Sequence, residues 1–267
     1  MHDPDHRLHA EGAEPAKAIV MEIAVPVAAM HREPSSSARQ TTQALFGEKI
    51  RVFEVRGDWL WCQLERDGYV GFIASAGASE GLSKPTYRVA VPSTLMYPQA
   101  DIKSQPAIAL PMNACLEVVA ATEKFASLAN GHFIYAAHLK PVGGFETDFV
   151  GVAEKFLHVP YYWGGKTVSG LDCSGLVQTS LEACGIPAPR DSDMQEKQLG
   201  QNLMVNDLDG LRRGDLVFWK GHVGIMTDGN TLLHANGHHM MTVKEPLATA
   251  IERIALTGSQ VTSVKRF

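Results

Sequence analysis

The alternation of apolar and polar positions changes rhythm part-way along the chain. Up to about residue 142 the apolar residues come in short runs punctuated by Gly, Pro, Asn and Ser, the pattern of small β-barrels. Ala18 to Val25, interrupted by Glu22, reads as a strand, and Leu45 to Val55 and Leu110 to Ala120 read as longer ones. From Glu146 the texture is different. Phe149, Val152, Ala153, Phe156 and Leu157 have helical spacing and predict a helix over 148–157. A loop rich in Gly and aromatics follows, Pro160-Tyr161-Tyr162-Trp163-Gly164-Gly165. Apolar positions 176, 177, 181 and 184 predict a second helix over 174–184, ended by Gly185 and Pro187. Asp215 to Trp219, Val223 to Thr227 and Thr231 to Ala235 read as strands, the last two joined by the turn Asp228-Gly229-Asn230. A helix followed by an antiparallel sheet is an α+β arrangement.

The barrel region repeats itself. Ile23-Ala24-Val25-Pro26 followed by Met30 is echoed 66 residues on by Val89-Ala90-Val91-Pro92 followed by Met96. Asp67-Gly68-Tyr69-Val70-Gly71-Phe72-Ile73 has a counterpart in Asn130-Gly131-His132-Phe133-Ile134. A repeat near 65 residues fits two consecutive small β domains. The expected organisation is a disordered leader over 1–17, a first small β domain over 18–80, a second over 85–142 and an α+β domain over 145–267. Breakers at Ser79 to Lys84 and Pro141 to Phe145 separate them. Met96, Tyr97 and Phe125 are expected in the core or an interface of the second barrel.

Composition excludes more than it selects. The chain has 267 residues, 45 % apolar and 20 % charged, with a net charge of −5. Nothing in that balance favours nucleic acid, which needs a basic surface. Residues 1–17 lack the basic start and apolar core of a signal peptide, and no run approaches a membrane span. A cytoplasmic protein without a membrane partner, acting as a monomer, is the expectation. Cys62, Cys115, Cys173 and Cys184 form no C-x-x-C pair, so zinc-finger and thioredoxin readings lack support. Cys62, Cys115 and Cys184 are expected as buried small apolar residues.

Cys173 differs because it opens a predicted helix after a Gly-containing loop. Free N–H groups and the helix dipole favour a thiolate there and could receive the oxyanion of an attacked carbonyl. His222 and His234 lie on adjacent strands of one predicted hairpin. Helix-start Cys, strand His and an orienting polar group together make a papain-type constellation. A metal reading of His234, His238 and His239 finds no carboxylate or Cys at ligand spacing beside them, so neither metal nor cofactor is expected.

Asp172-Cys173-Ser174-Gly175-Leu176-Val177 resembles the nucleophile motif of the NlpC family of papain-like murein peptidases, and Gly221-His222-Val223-Gly224-Ile225 resembles its base motif. His234 matches the family's third polar residue, 160–165 the loop before the nucleophile, and Gly214 to Phe218 the strand before the base. The two barrels resemble the bacterial SH3-like domains of the dipeptidyl-peptidase VI subgroup. The resemblance implies that Cys173 attacks an amide carbonyl, that His222 holds the thiolate as an ion pair and protonates the leaving amine, and that His234 orients His222. Tyr161 would contact substrate or the oxyanion. It further implies cleavage of the γ-D-glutamyl–diamino acid bond of a free murein tripeptide or tetrapeptide with an unblocked N-terminal L-Ala. Candidate contacts for that peptide are Asp172, Ser174, Asp191 and Ser192, with Glu33 and Tyr69 from the first barrel. Phe72 stands where relatives often have Trp, a departure that touches barrel packing.

Two other readings share these residues. One is an acyltransferase or another amidase on the same scaffold, which fold alone does not separate. The other is a peptide-binding module with an inert catalytic domain, which an intact Cys173, His222 and His234 argue against.

Overall fold

The computed structural model describes residues 5–204 and 208–267. The chain divides into two compact units, residues 1–144 and 145–267.

The first unit holds both barrels. The first is a seven-stranded sheet of β1 (Ile19–Ile23), β2 (Val27–His31), β3 (Gln40–Leu45), β4 (Lys49–Arg56), β5 (Trp59–Leu64), β6 (Val70–Ala74) and β7 (Ala78–Ser79), ordered β3-β2-β6-β5-β4-β1-β7. Alternation decides what faces inward: Leu60, Cys62 and Leu64 on β5 are buried, while Trp59, Trp61 and Gln63 between them are half-buried. The second barrel comprises β8 (Tyr87–Val89), β9 (Ser93–Tyr97), β10 (Ile108–Pro111), β11 (Cys115–Leu116), β12 (Val118–Ala121), β13 (Phe125–Leu128), β14 (Phe133–Tyr135) and β15 (Leu139–Pro141). Its strands run β10-β9-β14-β13-β12 and β11-β8-β15, the first barrel's order with one strand split in two. Val89, Met96, Leu110, Leu128 and Ile134 fill its core, and Tyr97 packs edge-on against the buried Phe125.

The two long strands expected at Leu45–Val55 and Leu110–Ala120 are each broken, at positions 66 residues apart. Gly47 (φ 78°) and Asn113 (φ 68°) take left-handed backbone and turn the chain there. Gly47 also lies on the seam between the barrels. A Cβ on it would sit 2.2 Å from the Cys115 carbonyl oxygen, and the Cys115 N–H donates to the Phe46 carbonyl at 2.9 Å.

The leader also departs from expectation. Residues 1–4 lie outside the described residues, but from Asp5 the segment is tied to the first barrel. The Val70 N–H donates to the Arg7 carbonyl at 2.8 Å, and the Gln63 side-chain amide donates to the Leu8 carbonyl at 3.0 Å. Cys115 and Cys184 are half-buried rather than buried, whereas Cys62 is sealed in and burial pushes its thiol up to about 12.

The second unit is built on a six-stranded antiparallel sheet. Its elements are α1 (Phe149–Glu154), the short pair β16 (Lys166–Thr167) and β17 (Gly170–Leu171), α2 (Cys173–Ala183), α3 (Ser192–Gln198), β18 (Gln201–Leu203), β19 (Leu216–Trp219), β20 (His222–Met226), β21 (Thr231–Asn236), β22 (Met241–Pro246), α4 (Leu247–Ala255) and β23 (Val261–Arg266). The sheet order is β18-β23-β19-β20-β21-β22. α2 packs on β20 and β21, while Leu247 and Ala250 bury one face of α4 in a core shared with the sheet. α1 stops three residues short of its expected end because the chain leaves to meet β22. His158 takes φ 67° there and its N–H donates to the Thr242 carbonyl at 2.9 Å.

Candidate active site

The start of α2 is fixed by Asp172. As N-cap it accepts the Gly175 N–H at 2.8 Å through Oδ1, satisfying one of the helix's orphan donors. Oδ1 also receives Arg190 at 3.0 Å and the Ser174 hydroxyl at 3.3 Å. Oδ2 receives the Gly164 N–H and the other Arg190 nitrogen, each at 2.7 Å. Arg190 is itself buried and further donates to Ser174 Oγ at 2.9 Å. This clamp lets the Gly164–Gly165 loop lie directly against α2. A Cβ on Gly175 would come within 2.2 Å of the Gly165 carbonyl oxygen, so only glycine permits the approach.

Asp172 and Ser174 were read from the sequence as candidate substrate contacts, and their geometry is different. Five donors occupy the Asp172 carboxylate, while Ser174 Oγ donates to that carboxylate and accepts from Arg190, so both side chains are engaged in the clamp. Their work is to hold the helix start. Sequence reasoning passed over Arg190; its signal was a position beside Asp191-Ser192 in the loop after α2.

Cys173 occupies the first residue of α2 and is 7 % exposed. The main-chain N–H groups of Val223 and Ser174 pull the Cys173 thiol down, and α2 packs on β20. The helix start was expected to favour a thiolate, but burial reverses that. Desolvation first, and the Asp172 charge second, push the Cys173 thiol up to about 12, outweighing the N–H groups and the Arg190 charge.

Behind the thiol, three strands carry a line of polar side chains. The pairing of Ile225 with Leu233 makes His222 and His234 diagonal neighbours on one face of β20 and β21. The pairing of His234 with Val243 does the same for His234 and Glu245 across β21 and β22. Each step along this diagonal is a hydrogen bond. His222 Nε2 and His234 Nδ1 are 2.8 Å apart, and His234 Nε2 and Glu245 Oε1 are 2.7 Å apart. Arg253 on α4 closes the line with a short ion pair to the same Glu245 oxygen. Burial, then the fields of His234 and Arg253, lower the His222 imidazole to about 3 against the pull of Glu245. Burial likewise lowers His234 despite its carboxylate partner. Burial alone would raise Glu245, but His234 and Arg253 hold its carboxyl at about 2. Taken singly, the Cys173 thiol and the His222 imidazole are each pushed by burial toward the neutral form.

Tyr161 lies in the loop stitched to both neighbours. Its N–H donates to the Met240 carbonyl at 2.9 Å, and it bridges to Leu171. Burial first, with the Asp172 charge adding to it, pushes its phenol well above the ordinary tyrosine value, so it stays a protonated donor. Asp191 and Ser192 begin α3. Asp191 is half-buried and makes no side-chain capping bond to that helix, and Ser192 is buried. Glu33 and Tyr69 belong to the first unit. Glu33 is exposed on the turn after β2, and Tyr69 is buried before β6, lining a cleft with Trp61, Phe72 and His6 of the leader. His239 is tied to the Asn236 side chain, and among the described residues no cluster of His, Cys, Asp or Glu forms a metal-binding group.

A cysteine on the first turn of a helix, backed by an antiparallel sheet that carries an imidazole line, defines the papain-like class of cysteine hydrolases. Residues 158–255 match the NlpC/P60 family and residues 30–77 match the bacterial dipeptidyl-peptidase Sh3 domain, so the chain is a cysteine peptidase built on an NlpC/P60 domain. It is similar to the gamma-D-glutamyl-L-lysine dipeptidyl-peptidase of Bacillus subtilis (strain 168), with 28 % identity over 220 residues covering 73 % of this chain and 71 % of that protein. The dipeptidyl-peptidase 6 of Lysinibacillus sphaericus is 24 % identical over 233 residues, covering 79 % and 85 %. An NlpC/P60 family protein from Bacillus cereus ATCC 10987 has the same fold, with a TM-score of 0.79 at 20 % identity over 93 % of this chain and 99 % of that one.

Proposed function

We propose that this peptidase hydrolyses the γ-D-glutamyl–diamino acid bond of free murein peptides whose N-terminal L-Ala is unblocked, as part of cell-wall peptide recycling. The observation that carries the chemistry is the His222–His234–Glu245 line beside a helix-start cysteine. The name of the similar gamma-D-glutamyl-L-lysine dipeptidyl-peptidase supports the bond chosen.

In this reading the thiol and imidazole start neutral. As Sγ attacks the γ-glutamyl carbonyl, His222 takes the thiol proton, so the ion pair exists only during the reaction. A new S–C bond forms and the carbonyl oxygen becomes an oxyanion, met by N–H groups at the start of α2 and by the Tyr161 hydroxyl. His222 then gives its proton to the diamino acid nitrogen, the C–N bond breaks, and a thioester to the L-Ala-D-Glu half remains. Water, deprotonated by the same imidazole, releases it. Asp191 and Ser192, at the start of α3, receive the free α-amine in this proposal. Asp172 and Ser174 act one step back, through the helix they hold. No helix of the described residues is long and apolar enough to cross a membrane, and the proposed cytoplasmic site of action is checked by cell fractionation.

The test is a mass-spectrometric digest of L-Ala-γ-D-Glu-meso-diaminopimelate beside the same peptide N-acetylated. Cleavage of only the free-amine peptide is expected. Cleavage of both would keep the peptidase and remove the amine pocket, and cleavage of neither would remove this substrate class.

A further inference from the structure

Glu245 has no part in the motifs read from the sequence, yet it settles a question that the two histidines alone leave open, namely which imidazole nitrogen is the base. A carboxylate can only accept hydrogen bonds. Glu245 Oε1 lies 2.7 Å from His234 Nε2, so that nitrogen must carry the proton. A neutral imidazole has one N–H, which leaves His234 Nδ1 as an acceptor. The partner at 2.8 Å, His222 Nε2, must then be the donor. With its single proton spent there, neutral His222 presents an unprotonated Nδ1.

We infer that Glu245, held in place by Arg253, is a positioning residue that fixes the tautomers of both histidines and so leaves His222 Nδ1 as the nitrogen that takes the Cys173 proton. The inference rests on the reading of His222 as the base. Turning the His222 proton to Nδ1 would set two lone pairs against each other, and turning the His234 proton to Nδ1 would spoil both contacts at once. Arg253 contributes in two ways. Its ion pair anchors the same oxygen that faces His234. Its charge also keeps that oxygen a carboxylate rather than an acid able to donate. The arrangement is set by β-sheet register: Glu245 pairs with Leu232, and its side chain reaches His234 only because both point to the same face.

The experiment is imidazole nitrogen NMR on the ligand-free full chain, wild type and Glu245→Leu, alongside steady-state hydrolysis of the tripeptide. In the wild type both rings should appear as pure Nε2–H tautomers. Glu245→Leu should lose the fixed tautomer at His234 and lower kcat by at least about 100-fold with KM little changed, since a misplaced imidazole proton disables such a base without disturbing substrate binding. Glu245→Gln, which keeps an oxygen between Nε2–H and Arg253, should retain the tautomers and recover part of the rate. A wild-type His234 protonated at Nδ1 would overturn the inference. So would Glu245→Leu with unchanged tautomers and a kcat within about threefold of wild type. The wild-type spectrum needs no folded variant and no substrate. Failure of the tripeptide to be cleaved would therefore count against the proposed function while leaving the tautomer result to stand or fall separately.

Discussion

Two buried polar networks in the second unit end alike, each in an arginine on a carboxylate, and they do opposite things. In the first, Asp172 receives Arg190, two main-chain N–H groups and a hydroxyl, until no lone pair is left over. In the second, Glu245 receives Arg253 and His234, and the line runs on through His222 to one nitrogen without an assigned proton. A saturated network can only hold a shape. One with a single open end can move a proton. The same ingredients, an acid, an arginine and a burial cost, are divided between scaffold and chemistry by how many donors meet each acceptor.

The largest effect that would sharpen this division is His222→Ala. It should lower kcat by about 10⁴-fold or more while the far-ultraviolet circular dichroism spectrum stays that of the wild type. Next is Arg190→Met, which strands the Asp172 charge in the interior. Breaking a buried pair from one side costs about 3–5 kcal/mol, so the urea midpoint should drop far more than the activity of the molecules still folded. A normal midpoint with a collapsed kcat would break the comparison, because the clamp would then be taking part in the reaction.

The mildest probe is acid. His222 and His234 have folded-state values below those of the unfolded chain, so the unfolded chain binds protons first as pH falls through about 6.5. Stability is therefore full above that value and is lost below it. The two histidines together should cost about 1–2 kcal/mol between pH 7 and 5.5, seen as a lower Tm. Glu245, depressed as well, adds a further loss only as pH falls from about 4.5 toward 2. Activity per folded molecule should hold over the first interval, since the base itself titrates near 3. A kcat/KM that halves near pH 6.5 would place His222 in ordinary solvent.

What was legible in the sequence was local. The apolar spacing of α2 and the turn at Asp228-Gly229-Asn230 are set by neighbours in the chain, and it was the resemblance of the surrounding motifs to the NlpC family that singled out Cys173, His222 and His234. Glu245 and Arg253 were not legible. Met241 to Pro246 has no strong apolar face, and only its register with β21 brings Glu245 across from the histidines. Arg190 hid for another reason, since arginine is seldom found fully buried and the eye goes to the acidic residue beside it. In the barrels, apolar residues on both sides concealed the turns at Gly47 and Asn113, because a core-facing residue after a turn is as apolar as one before it. The protonation of Cys173 could not be read at all, since desolvation belongs to the folded packing and to no stretch of sequence.

That last feature reaches beyond hydrolysis. Peroxide oxidises thiolates far faster than thiols, and a buried sulfur held protonated gives it almost nothing to attack at neutral pH. A nucleophile resting at the start of a helix in solvent would pass readily to sulfenic acid under oxidative stress. The burial that raises the Cys173 thiol therefore also slows its loss to oxidation.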